Sequence, residues 1–115
     1  MNSEEMKQRT KQFAINVALL TQKIPDNQIN RAYKSQIIRS SSSVGANYRA
    51  SRRAKSNADF INKLKITEEE LDESLFFLEL IEVFNQDSKD EVSKLYIEGE
   101  ILLRIIVATI VGSRK

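Results

Sequence analysis

Residues 64–84, LKITEEELDESLFFLELIEVF, decide the fold of this chain. In steps of three and four, apolar and small residues form one stripe, which predicts an amphipathic helix. Its members are Phe60, Leu64, Thr67, Leu71, Ser74, Leu78 and Ile81. A second stripe contains Ile66, Glu70, Glu73, Phe77, Leu80 and Phe84. Because this helix is apolar over most of its surface, it needs burial on more than one side.

The ends of this helix are marked by capping and turn residues. Ser56 is predicted to start it, since Asp59 follows three residues later and the pair resembles a capping box with Asp in place of Glu. The segment Asn85-Gln86-Asp87 is predicted to be the turn that ends it. The helix is therefore long, and a further helix follows after a short connection.

That following helix is predicted from about Ser88 to Val111, with Gly112 as its C-terminal cap. The runs Ile101–Leu103 and Ile105–Val107 place apolar groups most of the way round it. In a chain of 115 residues no helix can be central. We therefore expect the surplus apolar faces of these two helices to be buried between subunits, because soluble monomers rarely expose large apolar patches. The alternative is a wide core with a few exposed apolar residues.

Two more helices precede the decisive stretch. The first is predicted from about Glu4 to Lys23, with Ser3 as its N-cap, and Pro25 stops it. Its buried stripe consists of Met6, Thr10, Phe13, Val17, Leu20 and Ile24.

The second helix is predicted from a cap at Asp26 or Asn27 to about Ala54. Its middle contains Ser40–Ser43 and Gly45, which are poor helix formers. The helical stripe nevertheless runs through them, in Ile29, Tyr33, Ile37, Ser40, Val44, Asn47 and Ser51. We therefore predict a continuous helix whose small residues allow a close approach to its neighbours. Short connections between four long helices indicate an all-α, up-down antiparallel four-helix bundle, with residues 1–115 as one domain.

The composition narrows the possible chemistry. The chain contains no Cys and no His, which removes thiol nucleophiles, disulfides, zinc–thiolate sites and the usual proton-transfer group. The acidic run Glu68–Glu73 could suggest two metal ions, but the di-iron bundles use Glu-x-x-His motifs, so a solvated acidic face is favoured. We predict no catalytic residue, no metal and no cofactor, and hence a protein that is not an enzyme.

Neither end of the sequence resembles a membrane or export signal. The N-terminus is charged and lacks an apolar core, and the longest nearly apolar run, Ile101–Val111, is far short of the roughly 20 residues that span a bilayer. These features favour a cytoplasmic protein that does not bind membranes.

One pair of polar side chains is predicted inside the bundle. Glu73 shares a stripe with Phe77 and Leu80, so its carboxylate should be partly buried and must find a donor. Asn47 lies on the inward stripe of the second helix. We predict a structural hydrogen bond between Asn47 and Glu73, direct or through water.

Charge is distributed unevenly along the chain. Residues 1–65 contain 13 Lys and Arg against 4 Asp and Glu, whereas residues 66–115 contain 5 against 12. At about 100° per residue, one side of the second helix carries a basic stripe opposite its core stripe. The stripe consists of Arg31, Lys34, Arg49, Arg52 and Arg53, with Arg39 and Lys55 beside it. Such a stripe can bind phosphates by releasing counterions, can dock an acidic protein, or can simply be solvated.

A family resemblance rests on the segment Ser41–Ala50, SSSVGANYRA, followed by Arg53-Ala54-Lys55-Ser56, by Asp59-Phe60-Ile61 and Lys63-Leu64, and by Ile66–Glu79. These residues resemble the four-helix-bundle family called 23S ribosomal RNA intervening-sequence proteins, whose members are encoded in inserts of bacterial large-subunit rRNA genes and elsewhere in bacterial genomes. Asn47 and Glu73 stand at characteristic positions of the family. The family often has Glu where this chain has Ala50 or Ser51, and Trp where it has Phe77.

The resemblance implies a cyclic homo-oligomer, commonly a pentamer. The family is similar to the accessory protein of diversity-generating retroelements, a basic pentamer that binds nucleic acid and a reverse transcriptase. We therefore expect a non-catalytic oligomeric scaffold that binds RNA, or a nucleic-acid-processing protein, through the basic stripe. The alternative is a protein–protein interaction module with no nucleic-acid binding.

Overall fold

The computed structural model of the chain describes residues 1–114, which form four long helices and, between the third and fourth, one short 3₁₀ turn. No strand occurs among these residues. The helices are α1 (Ser3–Lys23), α2 (Gln28–Ser51), α3 (Asn57–Phe84) and α4 (Lys89–Ser113), and the 3₁₀ turn is Gln86–Ser88. Each helix packs on the next along the chain and α4 packs back on α1, so the predicted up-down antiparallel four-helix bundle is confirmed.

Helices α1, α2 and α3 begin at residues whose side chains cap them, whereas Ser88 makes no side-chain cap for α4. Asn2, one residue before the predicted cap, accepts a hydrogen bond from the backbone N–H of Glu5 at 2.8 Å. Asn27 caps α2 in the same way. Ser56 caps α3, as predicted, by accepting from the N–H of Asp59 at 3.0 Å. Each cap satisfies one of the N–H groups that a helix start leaves without a partner.

Two predicted helix ends were wrong. Helix α2 ends at Ser51, three residues early, and Arg52–Ala54 form a turn whose N–H groups bond to carbonyls three residues back. Helix α4 continues through Gly112 to Ser113, and Gly112 has no positive φ. The glycine is therefore an ordinary helical residue and does not cap the helix.

The core is built from the predicted stripes. Every member of the α1 stripe is buried, as are Ile37 and Val44 on α2 and the α3 stripe except Phe60, which is half-buried. Ile29 was wrongly assigned to the core of α2, since it is 44 % exposed.

Small residues bring helices together in the middle of the bundle. The serine run is helical, as predicted, and Ser74 Oγ donates to Ser40 Oγ across the α2–α3 contact at 2.9 Å. A Cβ at Gly45 would lie 3.6 Å from Thr10 Oγ1 of α1. The serine and glycine positions thus allow the close helix–helix approach that the sequence predicted.

Hydrogen bonds between polar side chains stabilise the bundle at two further places. At the end that holds the α1–α2 and α3–α4 turns, the buried side chains of Asn30 and Asn85 exchange two hydrogen bonds of 3.0 and 2.9 Å. On the side, Arg9 of α1 binds Glu98 of α4 through two hydrogen bonds of 2.7 and 2.8 Å. This contact with Glu98 raises the pKa of Arg9. Bidentate geometry of this kind fixes the orientation of two helices as well as their separation.

Helices α3 and α4 leave large apolar side chains in contact with solvent. Phe76, Val83 and Phe84 on α3 and Ile97 and Val111 on α4 are each at least half exposed. None of the helices in residues 1–114 combines the length and the apolar composition that crossing a membrane requires.

Candidate nucleic-acid interface

The first two members of the predicted basic stripe are engaged within the chain. Arg31 forms an ion pair with Asp26 in the preceding turn, with 3.1 Å between Nη1 and Oδ1. Lys34 is half-buried and donates to the backbone carbonyl of Ile24 at 2.6 Å, which satisfies the C-terminal end of α1. Both cations have a structural partner that the helical wheel of α2 could not show.

Arg39, which lies beside the stripe, is held by the acidic face of α3. Its Nη1 approaches Glu70 Oε2 at 3.2 Å, and its Nη2 pairs with Glu73. The α2 sequence contains no acid between Asp26 and its end, but α3 supplies these two carboxylates from outside the helix.

The two residues of the predicted pair, Asn47 and Glu73, make their direct contacts with other side chains. Asn47 Nδ2 donates to the backbone carbonyl and to Oγ of Ser43, both at 2.9 Å, one turn earlier on its own helix. Glu73 is half-buried, as predicted, and pairs with Arg39. Glu73 therefore does contact α2, through a cation about two turns away from Asn47, and no direct hydrogen bond joins the predicted pair.

The remaining members of the stripe lie at the opposite end of α2. Arg49 is about 27 Å from Arg31, given 18 residues at about 1.5 Å each. Arg49, Arg52 and Arg53 are exposed, and none of them forms an ion pair with any of residues 1–114. The predicted single face is thus divided into an engaged part and a free part.

Arg52 and Arg53 owe their positions to the turn after α2. Because the helix has already ended, their directions do not follow the helical wheel. The guanidinium of Arg52 lies over the ring of Phe60, 5.6 Å from its centroid, which is cation–π geometry. The aromatic ring orients this arginine and leaves its charge exposed.

Two lysines join this end, Lys55 from the connection between α2 and α3 and Lys63 from α3. Arg53, Lys55 and Lys63 line a shallow groove of about 570 Å³ together with Ser56 and Asp59. Asp59 is the acid of the groove, and its Oδ2 accepts from the backbone N–H of Lys55 at 3.2 Å. We call this surface the basic end and define it by Arg49, Arg52, Arg53, Lys55 and Lys63.

Sequence reasoning placed Lys55 beside the stripe and missed Lys63. The signal for Lys63 was available in the topology, because the first two turns of α3 must lie beside the last turns of α2 in an antiparallel pair. The same end also receives the C-terminus of α4, where Asn57 Nδ2 donates to the carbonyl of Ser113 at 3.1 Å.

The side chains of the basic end are of the kind that can bind phosphate. Four of its cations are exposed and Lys63 is half-buried. Guanidinium groups can bind phosphate through two hydrogen bonds at once. Such groups contact the sugar–phosphate backbone and do not by themselves distinguish bases.

These features define a four-helix-bundle protein with a basic end. The sequence profile of the family described as 23S rRNA-intervening sequence protein matches residues 2–108, and the chain belongs to this family. No curated protein matches the chain.

A similar solved structure is that of a protein of unknown function from the S23 ribosomal protein family of Bacteroides thetaiotaomicron. The two chains are 28 % identical and superpose with a TM-score of 0.86, over 96 % of this chain and 98 % of that one. The likeness therefore covers the whole bundle.

Proposed function

We propose that this protein is a non-catalytic scaffold of the bacterial cytoplasm that forms a homo-oligomeric ring, a pentamer by family resemblance, and binds RNA through its basic end. The observation that carries the proposal is a set of four exposed cations and the half-buried Lys63, none of which forms an ion pair among residues 1–114. Arg31 and Arg39, by contrast, are paired with carboxylates of the same chain.

Assembly into a ring would support RNA binding because it repeats the basic end on each subunit. A ring places one copy of the basic end on every subunit, so contacts that are individually weak add up along one polyanion. The exposed apolar groups of α3 and α4 support the assembly itself, since burying them between subunits removes them from water.

RNA binding is tested with the unmodified protein and structured RNA in a filter-binding assay. We expect affinity to fall steeply between about 50 and 200 mM salt, because each phosphate contact releases counterions. The double variant Arg52→Glu, Arg53→Glu should abolish binding. Its matched control, Arg31→Glu with Lys89→Glu, changes the charge equally at the other end of the bundle and should bind like the unmodified protein.

A second function is distinguished by the same assay. A protein–protein interaction module whose basic end docks an acidic protein predicts no RNA binding even at about 50 mM salt. If the protein is helical by circular dichroism and binds no RNA, the partner of the basic end is an acidic protein and not RNA. Assembly is tested separately by sedimentation equilibrium at micromolar concentration, where a monomer of 13.2 kDa would contradict it.

A further inference from the structure

A groove between α3 and α4 has apolar walls and an acidic rim. It encloses about 520 Å³ near the end of the bundle that holds the α1–α2 and α3–α4 turns. Its walls include Val83, which is 64 % exposed, and Ile97, which is 58 % exposed. Glu79 and Glu82 stand on its rim. A surface that combines exposed aliphatic groups with carboxylates fits a partner with apolar and cationic side chains.

The carboxylates of this rim are not neutralised within the chain. Glu79 Oε2 accepts from the hydroxyl of Tyr96 at 3.3 Å. Neither Glu79, Glu82 nor the nearby Glu100 forms an ion pair with any of residues 1–114. Burial, followed by the charges of Glu79 and Glu100, raises the pKa of Tyr96. The groove is therefore a site of negative potential.

The outer face of α1 has the complementary composition. Lys11, Ile15, Leu19 and Lys23 follow one another at intervals of four residues, so they lie on one side of the helix. Ile15 is 40 % and Leu19 is 50 % exposed, and the sequence contains no acid between Glu5 and Asp26. Lys23 reaches Glu91 of α4 and stays largely exposed. This face is that of a cationic amphipathic helix.

We propose that the outer face of α1 in one copy packs into the α3–α4 groove of the next copy. The proposal rests on the homo-oligomer proposed above and names its interface. Ile15 and Leu19 would cover Val83 and Ile97, and Lys11 would face the glutamates of the rim. Because α1 packs on α2 and α4, its outer face and the groove lie on different sides of the bundle. The contact is therefore head-to-tail, and each copy keeps one free face for a further copy.

The heights of the two surfaces favour a closed ring over a filament. Leu19 and Lys23 line a second groove together with Glu91 and Leu95 of α4, and Leu95 immediately precedes Tyr96. The α1 face and the α3–α4 groove thus lie at the same level along the bundle. When neighbouring bundles pack side by side at one level, the operation that relates them is a rotation without translation, which forms a ring when its angle divides a full turn.

Two variants test the interface. The groove variant carries Glu79→Lys and Glu82→Lys, and the α1 variant carries Ile15→Lys and Leu19→Lys, so that the two altered faces repel each other. In sedimentation equilibrium, each variant alone should be a monomer. An equimolar mixture should form a heterodimer of twice 13.2 kDa and grow no further, since only one intact groove and one intact α1 face remain.

The control Glu69→Lys with Asp72→Lys makes the same charge change on the exposed side of α3, away from the groove, and should assemble like the unmodified protein. Circular dichroism verifies folding of each variant. If both variants assemble normally, the proposed interface is wrong while the homo-oligomer stands. An unmodified protein that stops at a dimer contradicts the head-to-tail contact. An unmodified protein that is a monomer contradicts the homo-oligomer itself.

Discussion

The two parts of α2 carry the same kinds of cation, but the cations of the first part have partners within the chain and those of the second part form no ion pair with residues 1–114. In the first part, Arg31, Lys34 and Arg39 each have a partner, supplied by the preceding turn, the end of α1 and the acidic face of α3. In the last turn and just after it, Arg49 and Arg52 form no ion pair with any of residues 1–114.

The difference shows what a helical wheel can and cannot indicate. The wheel gives the direction in which a side chain leaves its own helix, which is why Arg31 and Arg49 both point outward. It does not give what a neighbouring segment places in front of that side chain. Cations of the first part should therefore act on stability, and cations of the second part on binding.

The largest expected effect is on RNA affinity at the basic end. The double variant Lys55→Ala, Lys63→Ala should lower the slope of log affinity against log salt by about 2, one for each lost phosphate contact. That corresponds to roughly 30-fold weaker binding at 0.15 M salt. Filter binding at four salt concentrations measures both quantities.

The control for this prediction is Arg31→Ala in the first part of α2. It removes an exposed cation of similar reach whose charge is already paired with Asp26. Its salt slope should equal that of the unmodified protein. An equal loss in Arg31→Ala and in the double variant would contradict the division of α2 into two parts.

Loss of Arg39 should lower the stability of the protein and leave its RNA affinity unchanged, the opposite of the lysine double variant. Arg39→Ala leaves the partly buried carboxylate of Glu73 without its cation, and both groups are more than a third exposed, so solvent screens part of the loss. We expect about 1 kcal/mol lower free energy of unfolding in urea and unchanged RNA affinity. Adding Glu73→Gln should recover part of the stability, because the uncompensated charge is then removed. A loss of RNA affinity in Arg39→Ala at full helicity would assign this residue to the interface instead.

Much of the fold follows from the sequence because the helices are marked locally. The α1 stripe and the Ser56 cap are encoded within a few residues, and the structure reproduces them. The end of α2 is not marked in this way, since no Gly or Pro follows Ser51 before α3 begins. The position of that end depends on the bundle, where Arg52 lies over Phe60 of the next helix.

The candidate site was predictable only in part, for the same reason. Arg49 follows from its own helix, whereas Lys63 reaches the basic end only through the pairing of α2 with α3. The partner of Glu73 was missed because the sequence pattern identified a buried carboxylate without identifying which α2 side chain could reach it. Long side chains such as Arg39 reach from outside the stripe that the periodicity selects.

The smallest expected effect concerns Tyr48, in the last turn of α2, and it tests whether the basic end influences a buried group. Burial raises the pKa of Tyr48, and the positive charge of Arg52 partly opposes the rise. Because the folded-state pKa lies above the value near 10 of an unfolded tyrosine, the folded protein holds this proton more tightly. The resulting stability is fully present below about pH 10 and is lost as the pH rises through the folded-state pKa.

Tyr48→Phe, with no phenol to ionise, should match the unmodified protein within about 0.5 kcal/mol at pH 7 and lose less stability in alkaline urea unfolding. Arg52→Gln should move the tyrosinate absorbance titration of Tyr48 to higher pH, because the opposing charge is gone. Equal alkaline losses in Tyr48→Phe and the unmodified protein would show that this phenol is not the group responsible.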